Sequence, residues 1–167
     1  MLAARRAHAA DTIACVPYFL KIDGIAGDST DAKHKGEIEI ESFSWGASTP
    51  QAGGSAAGRV TMEDFSFTTA VTRASPKLFL ACVERRRIKT ALLTVRRSGV
   101  AQQDFLKVTM SDVSISSWEQ TAGPERPVET VGMSFGKVQI AYTGQRPDGA
   151  PGDTVTAGWD AKTNTKI

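Results

Sequence analysis

The sequence predicts a mostly β fold: an antiparallel β-barrel, closed or built from two sheets, with one flanking α-helix at about residues 75–87. Three observations carry this. Short segments in which apolar and polar residues alternate recur along the chain, separated by turn-like breaks. Only one segment shows a helical apolar stripe. The chain has 167 residues, 41% hydrophobic and 23% charged, which suffices for one self-sufficient core and is ordinary for a globular domain. About seven or eight strands with one helix suit a barrel or a two-sheet sandwich.

Residues 1–16 are rich in Ala and Arg and offer no pattern a core can use. They are expected to form an arm, disordered or the product of an over-extended start, ahead of a single domain at 17–167. Tyr18, Leu20 and Ile22 alternate with Phe19 and Lys21 as a first strand. A polar loop, Asp23 to Lys35, follows. Glu37-Ile38-Glu39-Ile40-Glu41 then alternates strictly, as in an antiparallel sheet with one wet face. The apolar phase moves from Ile38 and Ile40 to Phe43 and Trp45, which predicts a β-bulge at Glu41-Ser42. Gly46 to Gly58 reads as a long loop. Val60 and Met62, then Phe65 and Phe67, mark the next strand, with a second phase change near Asp64.

The helix starts at Ser75-Pro76, with Ser as N-cap and Pro at the first helical position. Leu78, Phe79, Cys82 and Val83 form its apolar stripe, and Arg85 to Arg87 stand where the macrodipole favours positive charge. Strands are expected at Ala91–Arg97, Phe105–Met110, Val113–Trp118, Val128–Phe135 and Val138–Tyr142, with a last short one at Thr154–Trp159. Ser98-Gly99, Gly123-Pro124 and Gly144 to Gly152 supply the breaks.

The residues offer little catalytic chemistry. His8 and His34 both fall in segments expected to be flexible, and with Cys15 and Cys82 they lack zinc-ligand spacing. Cys82 lies on an apolar stripe and reads as a small core residue. Two cysteines make no disulfide framework, so folding in a reducing cytosol is expected. No histidine follows a serine elbow. Gly132-Met-Ser-Phe-Gly136-Lys137 is one residue short of a phosphate loop and reads as a turn or bulge between strands. The carboxylates of Glu37 to Glu41 form a solvent-facing stripe with no pocket to raise a pKa. The basic residues from Arg85 to Arg97 have no aromatic among them, which argues against single-stranded nucleic acid. No apolar run is long enough for a membrane span, and the N-terminus lacks the apolar core of a secretory signal.

Charge is nevertheless uneven. The net charge is only +2, yet Arg73, Lys77, Arg85, Arg86, Arg87, Lys89, Arg96 and Arg97 stand against Glu84 alone. Asp23, Asp28, Asp31, Glu37, Glu39, Glu41, Glu63 and Asp64 stand against Lys33, Lys35 and Arg59. Opposite poles suit binding to copies of the same chain. Asp23, Asp28, Asp31, Glu37, Glu39, Arg85, Arg86, Arg87, Arg96 and Arg97 are therefore the candidate contacts between subunits. Solvated faces on a monomer are the simpler alternative.

Tyr18-Phe19-Leu20-Lys21-Ile22-Asp23-Gly24-Ile25 with Gly27-Asp28-Ser29, then His34-Lys35-Gly36-Glu37-Ile38-Glu39-Ile40 and Phe43-Ser44-Trp45-Gly46, resembles the opening of Hcp proteins. Ser75-Pro76-Lys77-Leu78 with Cys82 resembles the family's single helix, and Val138-Gln139-Ile140-Ala141-Tyr142 its penultimate strand region. The resemblance covers about Tyr18 to Trp159; residues 1–16 depart from it. It implies a structural tube subunit of Gram-negative type VI secretion, without enzymatic activity or cofactor. Subunits would close into hexameric rings that stack, meet sheath, spike and effector proteins, carry effectors in the lumen and leave the cytoplasm without a cleavable signal. The competing reading is a monomeric ligand- or cofactor-binding barrel of the flavin-binding split-barrel type.

Overall fold

A computed structural model of the chain describes residues 16–50, 58–98 and 102–167. The expected arm up to Cys15, with His8, lies outside them, as does 51–57 of the expected loop. In order, the elements are β1 (Tyr18–Ile22), β2 (Ile38–Ile40), β3 (Ser42–Ser44), β4 (Ala47–Ser48), β5 (Thr61–Met62), β6 (Phe65–Ala70), α1 (Ser75–Val83), β7 (Arg87–Arg96), β8 (Asp104–Ala122), β9 (Pro127–Ser134), β10 (Lys137–Gln145), β11 (Pro151–Asp160) and β12 (Thr165–Lys166).

A long bent hairpin frames the molecule. β8 pairs along one edge with β10 and then with β9: Leu106 faces Tyr142, Ser111 faces Lys137, Ser114 faces Ser134 and Ala122 faces Pro127. β9 and β10 are thus one return strand, bent at Phe135-Gly136 opposite Asp112, whose φ is 53°. A Cβ on Gly136 would lie 2.9 Å from Lys162 Cε and 3.1 Å from Asp112 Cβ, so glycine lets the bend close tightly without moving either neighbour. The segment expected as a turn or bulge is this bend, and the two strands expected before and after Asp112 are the single strand β8.

The bend carries the hairpin from one sheet to the other. Its β8–β10 half belongs to the order β2-β1-β7-β8-β10-β11-β12, and its β8–β9 half to β3-β6-β9-β8. A second crossing lies at Glu41. β2 pairs with β1, but Ser42 of β3 faces Thr68 of β6, and the Glu41 N–H donates to the Thr68 carbonyl at 2.8 Å. The apolar phase changes here because the chain leaves one sheet for the other, not because of the expected bulge. β4 and β5 pair as an antiparallel ribbon, so the segment expected as loop from Gly46 to Gly58 begins as a strand.

Leu20, Ile38, Phe65, Phe67, Leu93, Val108, Met110, Val131 and Met133 fill the space between the sheets, each no more than 2% exposed. Burial of one such side chain stabilises by roughly 1.5–3 kcal/mol.

The helix corrects the sequence reading in three ways. It ends at Val83, not near residue 87, because Glu84 caps it and Arg85 turns to φ 52°. The N–H groups of Arg85 and Arg86 then bond the carbonyls of Cys82 and Ala81, a left-handed cap that reverses the chain into β7. Its N-cap is Ala74, with Ser75 as first helical residue. Its buried face is Ser75, Leu78 and Ala81, whereas Phe79 and Val83, expected inside, are exposed and Cys82 is half-buried. Ser75 sets this rotation: its hydroxyl donates to the fully buried Glu129 carboxylate at 2.8 Å, which also accepts from Gln120 at 3.1 Å.

Candidate assembly surface

Most acids of the Asp23–Glu41 stretch are engaged within the chain. Asp23 accepts from the Thr90 hydroxyl at 2.7 Å, and Asp28 meets Arg73 at 2.8 Å. Glu37 lies 2.9 Å from His34 Nδ1, and Glu41 pairs with Arg126. Glu39 is exposed and borders a groove of about 400 Å³ with Asp28, Glu41 and Arg126.

Asp31 takes part in a buried clasp that the sequence did not disclose. Arg96, 2% exposed, donates from Nη1 to Asp31 at 2.7 Å and from Nε to Asp104 at 2.9 Å. His34, expected in a flexible segment, is 6% exposed, and its Nε2 lies 3.2 Å from Asp104. Its ring stacks on Phe19 at 4.2 Å between centroids, and the Arg96 guanidinium stands 5.3 Å from the same ring. The clasp ties the 23–37 segment to the outer face of β1 and β7. Burial opposes charge on Arg96 and on Asp104, but their mutual bonds win, with the bond from His34 helping Asp104. The guanidinium is held above its usual range and the Asp104 carboxyl below its own. The Lys33 N–H, then Arg96, hold the Asp31 carboxyl low. Arg96 and Asp31 thus face one another inside one chain, which takes them out of the set of free surface charges.

The arginine corner stays open. Arg86 pairs with Glu84 at 2.8 Å, while Arg85 and Arg87 are exposed beside a cleft that includes Cys82, Ser114 and Ser116. Arg97 lies over the Phe105 ring at 4.5 Å, and its Nη2 reaches the Tyr142 hydroxyl at 3.5 Å.

Two apolar patches complete the surface. Phe79, Leu80 and Val83 project from α1, with Phe79 edge-on to Trp118 at 5.2 Å. On the other flank, Tyr142 and Val155 are cross-strand neighbours, and Val155 is 68% exposed. β11 from Pro151 to Ala157 has no strand on its outer side among the described residues, since β12 covers only Trp159 and Asp160. The sequence hid both patches, because apolar residues fill every position of α1 from Leu78 to Val83 and β11 was expected only as a short terminal strand. Among the described residues no helix is long and apolar enough to cross a membrane.

The comparisons agree with this architecture. The family model described as "Type VI secretion system effector, Hcp" matches residues 19–142. The chain is 35% identical over 159 residues to protein hcp1 of Pseudomonas aeruginosa, covering 90% of this chain and 98% of that one. It is similar to the crystal structure of Hcp1 from Salmonella typhimurium, with 35% identity, a TM-score of 0.77 and coverage of 91% and 99%. A structure described as a type six secretion system protein matches with a TM-score of 0.85 at 29% identity, over 92% of this chain and 100% of that one. The chain belongs to the Hcp family, the tube proteins of type VI secretion, which are structural rather than enzymatic.

Proposed function

We propose that this tube subunit closes on copies of itself into hexameric rings, and that the rings stack and take effectors into their lumen. Sheath and spike proteins are its further partners. It resides in the cytoplasm until firing and then leaves the cell without a cleavable signal. The open edge of β11 carries this reading. Unpaired backbone groups from Pro151 to Ala157, with Val155 exposed beside them, are a template for another chain. The apolar face of α1 is unlike that edge, and contacts between unlike patches close rings.

Charge adds direction. Arg85, Arg86 and Arg87 on one copy meet the groove bordered by Asp28 and Glu39 on the next, within a ring or between rings, while Asp31 and Arg96 hold the fold. Gel filtration with light scattering tests the assembly: a mass near six times 17.8 kDa is expected, with open-centred rings in negative stain. Val155→Asp should release single chains. A wild-type species that stays monomeric at high concentration, or that carries a bound coenzyme, sinks the reading.

A further inference from the structure

The fold turns the most acidic stretch of the sequence into a basic surface. Lys21 of β1, Lys33 and Lys35 of the segment before β2, and Lys77 of α1 line one open groove of about 510 Å³. All four lysines are exposed, and none of their ammonium groups has a carboxylate partner among the described residues. Glu37 is the one acid in the lining, and it is turned to His34 Nδ1 at 2.9 Å. Asp23, Asp28 and Asp31, which by sequence should neutralise the lysines, are directed to Thr90, Arg73 and Arg96. Four like charges with one carboxylate in their lining are incompletely balanced, and a ligand bearing several anions relieves the remaining repulsion.

The lining also narrows the class of ligand. Lysine is a compact charge on a flexible stem, so four of them can follow anions at varied spacing without the bidentate fork by which arginine grips a single carboxylate. Exposed Ala26, with the edges of the buried Ile22 and Ile25, adds a small apolar area to the lining, which inorganic phosphate cannot use but a short side chain of a polypeptide can. It has no aromatic on which a nucleic-acid base would stack. Gly24 and Gly36, at φ 79° and 75°, border it, and a Cβ built on either meets nothing within 4 Å, so the walls stay low enough for an extended chain.

We propose that this groove is a docking site for an acidic, partly apolar peptide segment of a partner protein, its carboxylates meeting Lys21, Lys33, Lys35 and Lys77. The groove shares no lining residue with the arginine corner or the β11 edge, and α1, through Lys77, is the one element it has in common with the assembly reading.

The test is fluorescence anisotropy of the full chain with a labelled peptide of alternating Glu and Leu, at low and moderate salt. Saturable binding is expected, weakening with salt and falling about tenfold in Lys21→Glu/Lys77→Glu. Lys33→Gln/Lys35→Gln gives the same reading from the loop side if the first pair perturbs the fold. Lys107→Glu/Lys166→Glu, with the same change of net charge elsewhere, should bind as the wild type does. The proposal is overturned by absence of saturable binding or by equal loss in that control pair. It is equally overturned if tripolyphosphate or anionic vesicles bind more tightly than the peptide with the same lysine dependence.

Discussion

The stretch from Asp23 to Glu41 and the stretch from Arg85 to Arg97 carry opposite charge, yet the fold treats them in opposite ways. The acidic one is mostly satisfied internally: Asp31 by Arg96, Glu37 by His34, Asp28 by Arg73, Glu41 by Arg126. The basic one stays largely outward, since Arg85 and Arg87 are exposed and only Arg96 is buried. Charge counted along a sequence is therefore a poor guide to charge on a surface. What decides is where each charge stands: Asp31 lies in a loop fastened to a sheet, whereas Arg85 and Arg87 lie at the turn from α1 into β7.

The largest test of this contrast is Arg96→Ala. It removes a buried guanidinium and two charge-assisted hydrogen bonds from the part-buried Asp31 and Asp104, and a loss of about 2–3 kcal/mol is expected in urea unfolding. Arg85→Glu should leave the unfolding free energy of the subunit within about 0.5 kcal/mol, because a surface charge away from packing changes little. If the two variants lose similar amounts, the distinction between fastened and free charge fails.

Acid gives a milder version of the same test. The folded carboxyls of Asp31 and Asp104 titrate below their ordinary range, so their contribution is complete above the unfolded aspartate value of about 3.9 and fades as pH falls below it. Urea midpoints measured from pH 7 down to pH 3 should fall at the acid end, and the fall should be shallower in Arg96→Ala. Parallel curves for the two proteins would remove the clasp as its cause. The smallest effect expected among the paired charges belongs to the exposed Asp28–Arg73 pair, where Arg73→Ala should cost about 0.2–1 kcal/mol by the same unfolding measurement. A loss as large as that of Arg96→Ala would mean that exposure does not rank these pairs.

Much of the fold was legible. The alternation in Ile38–Ile40 and the phase changes near Glu41 and Asp64 mark real strand ends, and Gly136 marks a real bend. The misreadings share one physical cause. The unbroken apolar run from Leu78 to Val83 does not declare which face of α1 is buried, and that face is the one on which Ser75 bonds Glu129, a partner 54 positions away. His34 looked mobile because its loop is polar, but its fixing groups, Asp104 and Phe19, come from strands that sequence proximity does not connect to it.

Fold class, a helix beginning at Ser75 and family membership could be read from the residues alone, because local periodicity, turn residues and a run of matched segments depend on neighbours along the chain. Tertiary structure alone decided which charges are buried, which helix face is free and which strand edge is open. Those outcomes depend on groups brought together from distant segments, where a carboxylate beside a guanidinium in a buried site is a fastening and the same carboxylate in water is only a surface charge.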